Sequence, residues 1–316
     1  MIEPGPIVAM GVHVLDTLVR PVEEIPEGQG GALVEEIRIT AAGSAGGTAV
    51  TLAKLGADVH SAGAIGEDAV GEMLVGQLES FGVNTAQLVR RSDVQTSASV
   101  LPIRPDGSRP AFHVVGANGT YGPDDVEWEV LERAGYLHMG GPEFMGGEAA
   151  AKILSFAREH GVVTSADILA PGDQAAQIAD WVGPAFAHLD YLLPNDEQVL
   201  GLTGADDLES GARQLVEQGT GCVVATCGAE GVIIVDKESV DRVPAFHIDV
   251  VDTTGCGDAF SAGFLRGLSL GRERREAAVL GCAAAALVAQ GLGTDHGDFD
   301  LERADEFVRT GSSRPL

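Results

Sequence analysis

Thirteen consecutive residues carry the chemistry of this 316-residue chain: Asp252-Thr253-Thr254-Gly255-Cys256-Gly257-Asp258-Ala259-Phe260-Ser261-Ala262-Gly263-Phe264. Three small residues follow one another, an acid comes next, and a helical pattern of small and apolar residues begins. That order predicts a tight turn onto a helix N-terminus. The amides of Gly255, Cys256 and Gly257 then lack intrahelical partners and can point at an anion. Glycine lets a ligand approach the backbone closely, because no Cβ stands in the way. Asp258 falls in the first turn, where a carboxylate suits the dipole. Amides that hold a phosphate beside an acid that takes a proton are what phosphoryl transfer to a hydroxyl requires. The plainer alternative is a glycine-rich helix cap with a dipole-matching acid. A nucleophile elbow is also mimicked by Ala259-Phe260-Ser261-Ala262-Gly263, with Asp295-His296 downstream. There the serine lies past the turn, inside the helix, and the adjacent Asp and His cannot both serve it easily.

The elements that must position this stretch follow a rhythm. Pro6 to Gly11 reads as a short buried strand closed by glycine, with Asp16 following it. The Ala42–Ala49 run leads into a helix that ends at Leu55-Gly56, and a strand Val59–Ala64 and a helix Val70–Phe81 come next. Glu148–His160, Gly161 and Val162–Ala166 repeat helix, glycine, strand, as do Leu208–Gln218, Gly219 and Cys222–Thr226. Helix, glycine, strand is the connection of a parallel sheet covered on both faces, with ligands beyond the carboxyl ends of the strands. Two segments break the rhythm. Thr17–Arg20 with Leu33–Ile39, and Thr96–Ile103 with Pro110–Val115, are extended, and Pro105-Asp106-Gly107-Ser108 signals a hairpin turn. These four strands are expected to form a small antiparallel sheet over the site. His138 sits in an apolar strand and reads as packed. Asp167, at a strand end, could reach the site. The pair Gly140-Gly141 fits close ligand approach and a simple turn equally well.

The Asp252–Asp258 run resembles the C-terminal motif of the ribokinase-like carbohydrate kinases, Asp-Thr-x-Gly-Ala-Gly-Asp-x-Phe, with Cys256 in the usual Ala place. The resemblance covers most of the chain. It implies one α/β kinase domain over 1–316, a three-layer sandwich around a mostly parallel sheet, with a lid built from insertions at about 17–40 and 96–116. It implies an ATP-dependent kinase of a sugar hydroxyl, with a nucleoside as the alternative acceptor. Asp258 would be the base and the Gly255, Cys256 and Gly257 amides the anion hole. Asp16 would bind substrate hydroxyls. Ala42 to Ala49 resembles the family's N-terminal motif Gly-Gly-x-x-x-Asn-x-Ala, which gives Gly43 and Gly47 substrate roles, although Gly47 stands where the family has Asn. Asn195 begins the Asn-x-x-Glu motif, whose Glu position, helping to hold Mg²⁺ through water, is Gln198. Thr226, Gly228 and Gly231 match the nucleotide loop Thr-x-Gly-x-x-Gly, and the end of the Glu273–Gln290 helix would border adenine. Asp252 and the loop after Gly291 lie where some relatives bind K⁺. The family also implies a homodimer through the lid. The change at Gln198 motivates a further alternative, a ligand-binding regulator with weak turnover, and it suggests that Gln198→Glu would raise turnover.

Composition narrows the remaining classes. With 47 acids against 20 bases the net charge is −27, which repels nucleic acid and anionic membrane. Aromatics at 5% leave little for base-stacking platforms. No apolar run long enough to span a bilayer and no signal-peptide pattern is read, and Cys222, Cys227, Cys256 and Cys282 show no Cys-x-x-Cys pairing, so a cytoplasmic protein with reduced thiols is expected. Walker, dinucleotide-binding and zincin motifs do not occur in the sequence.

Overall fold

A computed structural model describes residues 5–105 and 107–314. The strand Ile7–Gly11 is buried along its whole length. Its side chains alternate between two apolar layers, as the two-residue period of a strand requires. Val8 and Met10 pack with Leu137, Ile153, Leu154 and Phe186 on one face. Ile7 and Ala9 pack with Ala49, Val50, Leu52, Ala262 and Leu265 on the other. Helices therefore cover both sides of the sheet, which is the three-layer α/β sandwich that the helix, glycine, strand rhythm predicts.

The large sheet has nine strands. From one edge they run Val240–Val243, Val232–Asp236, Cys222–Thr226, Tyr191–Leu192, Val163–Asp167, Tyr136–Gly140, Ile7–Gly11, Val59–Gly66 and Asn84–Arg91. All neighbours pair in parallel except the last two pairings at the Val240–Val243 edge. Gly11, Gly140, Asp167 and Thr226 close four of these strands, so their carboxyl ends open on a common side. The first strand has later strands on both flanks, which makes a crevice at its end.

The four remaining strands form a separate sheet, in the order Glu36–Ala42, Val14–Arg20, Ala98–Pro102, Phe112–Val114. The outer pairings are antiparallel, and the central one, between Val14–Arg20 and Ala98–Pro102, is parallel. Asp16 belongs to this sheet, inside a strand and paired with Thr40 and Ser99, and not to a turn after the first strand. The Leu33–Ile39 strand is displaced to Glu36–Ala42, because its pairing continues to Val14 and stops only where Gly43 turns. The expected turn at 105–108 joins the last two strands, and the Arg104 amide donates to the Ser108 carbonyl at 2.9 Å. Asp106 at its tip lies outside the described residues.

Register gives this sheet two unlike faces. Thr40, Asp16, Ser99 and His113 form one polar row across all four strands, and Ile39, Thr17, Val100 and Phe112 form an adjacent row on the opposite face. The second row is open to solvent, with Phe112 61% exposed.

Candidate active site

The Gly255 turn forms as the small-residue run predicts. Gly255 caps the Cys256–Ser269 helix in the left-handed region, at φ 77°. The Cys256 amide closes back on the Thr253 carbonyl at 3.3 Å, so the open end of the helix is carried by Gly257 and Asp258, whose amides helix geometry leaves without intrahelical acceptors. Asp252 braces the turn. Its Oδ1 accepts from the Thr254 amide and hydroxyl at 3.1 and 2.9 Å, and its Oδ2 accepts from the Gly293 amide at 3.1 Å.

Acids converge on this turn. Asp258 leans over Gly47, so that a Cβ there would lie 2.4 Å from its Oδ2. Gly47 thus gives the carboxylate its room and presents nothing to a substrate itself. Burial, reinforced by the charge of Asp16, pushes the Asp258 carboxyl up to about 7, against the pull of Arg109. Burial likewise raises Asp16 to about 6, while a hydrogen bond from Ser99 and the charge of Arg109 act the other way. Asp167, at the end of Val163–Asp167, is held well above the usual carboxylate range by burial and then by the charge of Asp258, which brings it into the same field. A carboxyl poised near neutrality beside anion-receiving amides can take a proton from a hydroxyl as a phosphoryl group arrives.

Beyond the turn lies a cavity of about 300 Å³. Thr226, Gly228 and Gly231 line one side, and Cys256 and Gly257 line another. Phe246, Val250, Ala285 and Ala289 give it an apolar interior suited to a flat heterocycle. Asn195 caps the next helix and bridges in parallel to Thr226, so it lies beside the cavity wall. A larger open groove runs past Lys54 and Asp295, but the Lys54 ammonium is already bonded to the carbonyls of Asp295, His296 and Gly297.

Gln198 is placed differently from the sequence expectation. Its Oε1 accepts from the Asn195 amide at 2.8 Å, and its Nε2 donates to the carbonyls of Ile168 and Ala170 at 2.6 and 3.1 Å. The side chain is neutral and buried and both of its polar atoms already have protein partners, which argues against the water-mediated magnesium role. Asp252 is equally engaged: the cation on its Oδ1 is the Arg109 guanidinium at 3.3 Å. The sign of the Gln198→Glu expectation therefore reverses. Two carbonyls would lose their donor and face a carboxylate, at ~1–3 kcal/mol for each unsatisfied group. We expect a lower Tm and no gain in turnover; an unchanged Tm with faster turnover would restore the sequence reading.

A helix N-terminus ordinarily lowers the pKa of a thiol such as that of Cys256. Burial dominates instead and pushes it up to about 12, with Sγ directed at the Ala285 carbonyl at 3.7 Å. Iodoacetamide at neutral pH is expected to leave Cys256 unmodified in the folded protein, and rapid stoichiometric labelling there would contradict this. Ser261 is 1% exposed inside the helix, and Asp295 pairs with Arg38, so no serine triad assembles. His138 is buried and bonded to Ser165 Oγ, as a packed histidine should be.

Sequence reasoning missed Arg109, Ser99, Thr40 and His113. Alternation in the two hairpins could have put the last three on one face with Asp16. Arg109 had no local signal.

Comparison with known proteins agrees with this geometry. The description pfkB family carbohydrate kinase matches residues 8–299. An ATP-dependent ribose-1-phosphate kinase of Halopiger xanaduensis is 30% identical over 244 residues, covering 77% of this chain and 78% of that protein. A deoxyribokinase of Salmonella typhi is 24% identical over 279 residues, covering 86% and 88%. Arabidopsis thaliana ribokinase, in a structure complexed with ribose and ATP, superposes with a TM-score of 0.82 at 23% identity, covering 97% of this chain and 99% of that one. Among the described residues no helix is long and apolar enough to cross a membrane.

Proposed function

The chain belongs to the pfkB family of carbohydrate kinases, and from that premise we propose that it transfers the γ-phosphoryl group of ATP to a hydroxyl of a small sugar. The observation that carries this reading is the position of the Gly255–Asp258 turn. It lies between an apolar cavity, walled by Thr226, Gly228 and Gly231, and the polar row headed by Asp16.

The adenine enters the cavity beside Ala285 and Ala289, and the phosphates extend toward Gly257. The acceptor hydroxyls bond to Asp16 and its row. Asp258 takes the proton of the attacking hydroxyl, the oxygen bonds to the γ-phosphorus, and the bond to the bridging oxygen breaks to release ADP. The amides at the turn stabilise charge on the transferring group. Mg²⁺ would be held by the nucleotide phosphates and would offset their charge, without Gln198 as a ligand. A K⁺ ion near Asp252 would have to share that carboxylate with Arg109.

The small sheet, from the insertions at 17–40 and 96–116, serves as the lid of a single kinase domain over 1–316. Its solvent-facing row of Ile39, Val100 and Phe112 supports a homodimer through that face. Four free cysteines suit a cytoplasmic protein.

Measuring ATP-dependent phosphorylation of ribose, deoxyribose, fructose, ribose 1-phosphate, adenosine and inosine tests this reading. Transfer to a sugar or sugar phosphate supports it. Transfer to a nucleoside alone would move the acceptor class, and binding without transfer would leave a regulator.

A further inference from the structure

Arg109 stands out from its surroundings. Between Arg104 and Val115 every other described residue is exposed, whereas Arg109 turns inward and is half-buried. Its Nη1 donates to Thr254 Oγ1 at 2.6 Å and to Asp252 Oδ1 at 3.3 Å, which sets the guanidinium at the mouth of the Gly255 turn. The groups facing that mouth are acids from separate elements: Asp16 on the Val14–Arg20 strand, Asp167 at the end of Val163–Asp167, Asp252 before the turn and Asp258 after it. Arg109 is the cation whose field reaches Asp16, Cys256 and Asp258. A dianionic γ-phosphate that enters beside these carboxyl groups is favoured by a protein cation at the point of transfer.

We propose that Arg109, delivered by the small sheet, is a catalytic residue that contacts the transferring phosphoryl group and neutralises its developing charge. This rests on the kinase reading above. An ion pair made only to brace Asp252 would not need a residue from an exposed turn. Thr254 and Gly293 already donate to both Asp252 oxygens. Both bonds of Arg109 run through Nη1, so among the described residues Nε and Nη2 have no protein partner and remain for an anion. The planar fork of guanidinium matches phosphate oxygens in a way that an ammonium does not. Because Arg109 comes from the segment of the small sheet and bonds at the Gly255 turn, the same residue ties the element that carries Asp16 to the catalytic charge set.

Arg109→Ala and Arg109→Lys, measured with the best acceptor of the panel, test the proposal. The Ala variant is expected to lower Tm little, since Thr254 and Gly293 still donate to Asp252, and to lose ~10²–10³-fold in kcat. Added guanidine should restore part of the rate, and Lys should recover only a small part. The acid limb of the kcat/KM profile should move to higher pH in the Ala variant, because removing the guanidinium removes a charge that favours the ionised Asp258. A wild type that transfers phosphate, with an Ala variant of unchanged kcat and unchanged acid limb, overturns the proposal and leaves the kinase reading intact. A raised acceptor KM with kcat untouched and no response to guanidine overturns it as well, in favour of a positioning role. A wild type that transfers phosphate to no acceptor removes the kinase reading and this proposal with it.

Discussion

Asp258→Asn is expected to lower kcat by ~10²–10⁴-fold while the KM for ATP changes little, the usual cost of removing a positioned general base. A sugar hydroxyl is a weak nucleophile until its proton leaves, and Asp258 is the carboxyl beside the anion-receiving turn. Its pKa of about 7 gives a second, independent expectation. The base must be ionised to accept the proton, so kcat/KM should fall as pH drops below about 7, and this limb should vanish in the Asn variant. Asp16 sits in the polar row of the small sheet, so Asp16→Asn should mainly raise the KM for the acceptor. If Asp258→Asn keeps the wild-type kcat while Asp16→Asn is inactive at saturating acceptor, the two roles are exchanged.

Gly255→Ala is expected to be nearly as damaging, through geometry alone. Gly255 holds φ at 77°, where a Cβ costs ~1–2 kcal/mol. That Cβ would also lie 2.6 Å from the Thr294 Cα, and Thr294 is a buried residue that cannot step aside. The turn must therefore move, and the helix-end amides move with it. Misplacing one such donor typically lowers the rate ~10²–10³-fold. We expect a loss of that size in single-turnover rate, with a Tm lower by several degrees. An Ala variant with the wild-type rate and Tm would show that the turn does not receive the phosphate.

The parts of this molecule that were legible in the sequence are those set by local pattern. Gly161 and Gly219 announced where helices hand over to strands, because a left-handed C-cap admits few other residues. The Cys222–Thr226 strand follows the residues anticipated for it, since its apolar run is bounded by a Gly on one side and a turn on the other. The Gly255 turn was equally plain. What escaped notice depends on contacts far apart in the chain. Asp16 read only as an acid following the first strand, because nothing nearby shows that its own strand pairs with Glu36–Ala42 and Ala98–Pro102. Arg109 carried no local signal, because its partners Asp252 and Thr254 lie more than a hundred residues on. Gln198 looked like a lost charge until the carbonyls of Ile168 and Ala170 showed why an amide is needed there. At Cys256 burial outweighs the helix terminus, and burial is set by packing that the local sequence does not show.

The central claim is direct transfer from ATP to an acceptor hydroxyl at the Asp258 carboxylate. Rapid-quench analysis with γ-³²P-labelled ATP tests it most directly. In the wild type the label should pass to the acceptor within the first turnover without residing on the protein, and in Asp258→Asn that passage should slow by the factor given above. Label on the protein before it reaches the acceptor, or transfer at the wild-type rate in Asp258→Asn, would contradict the account.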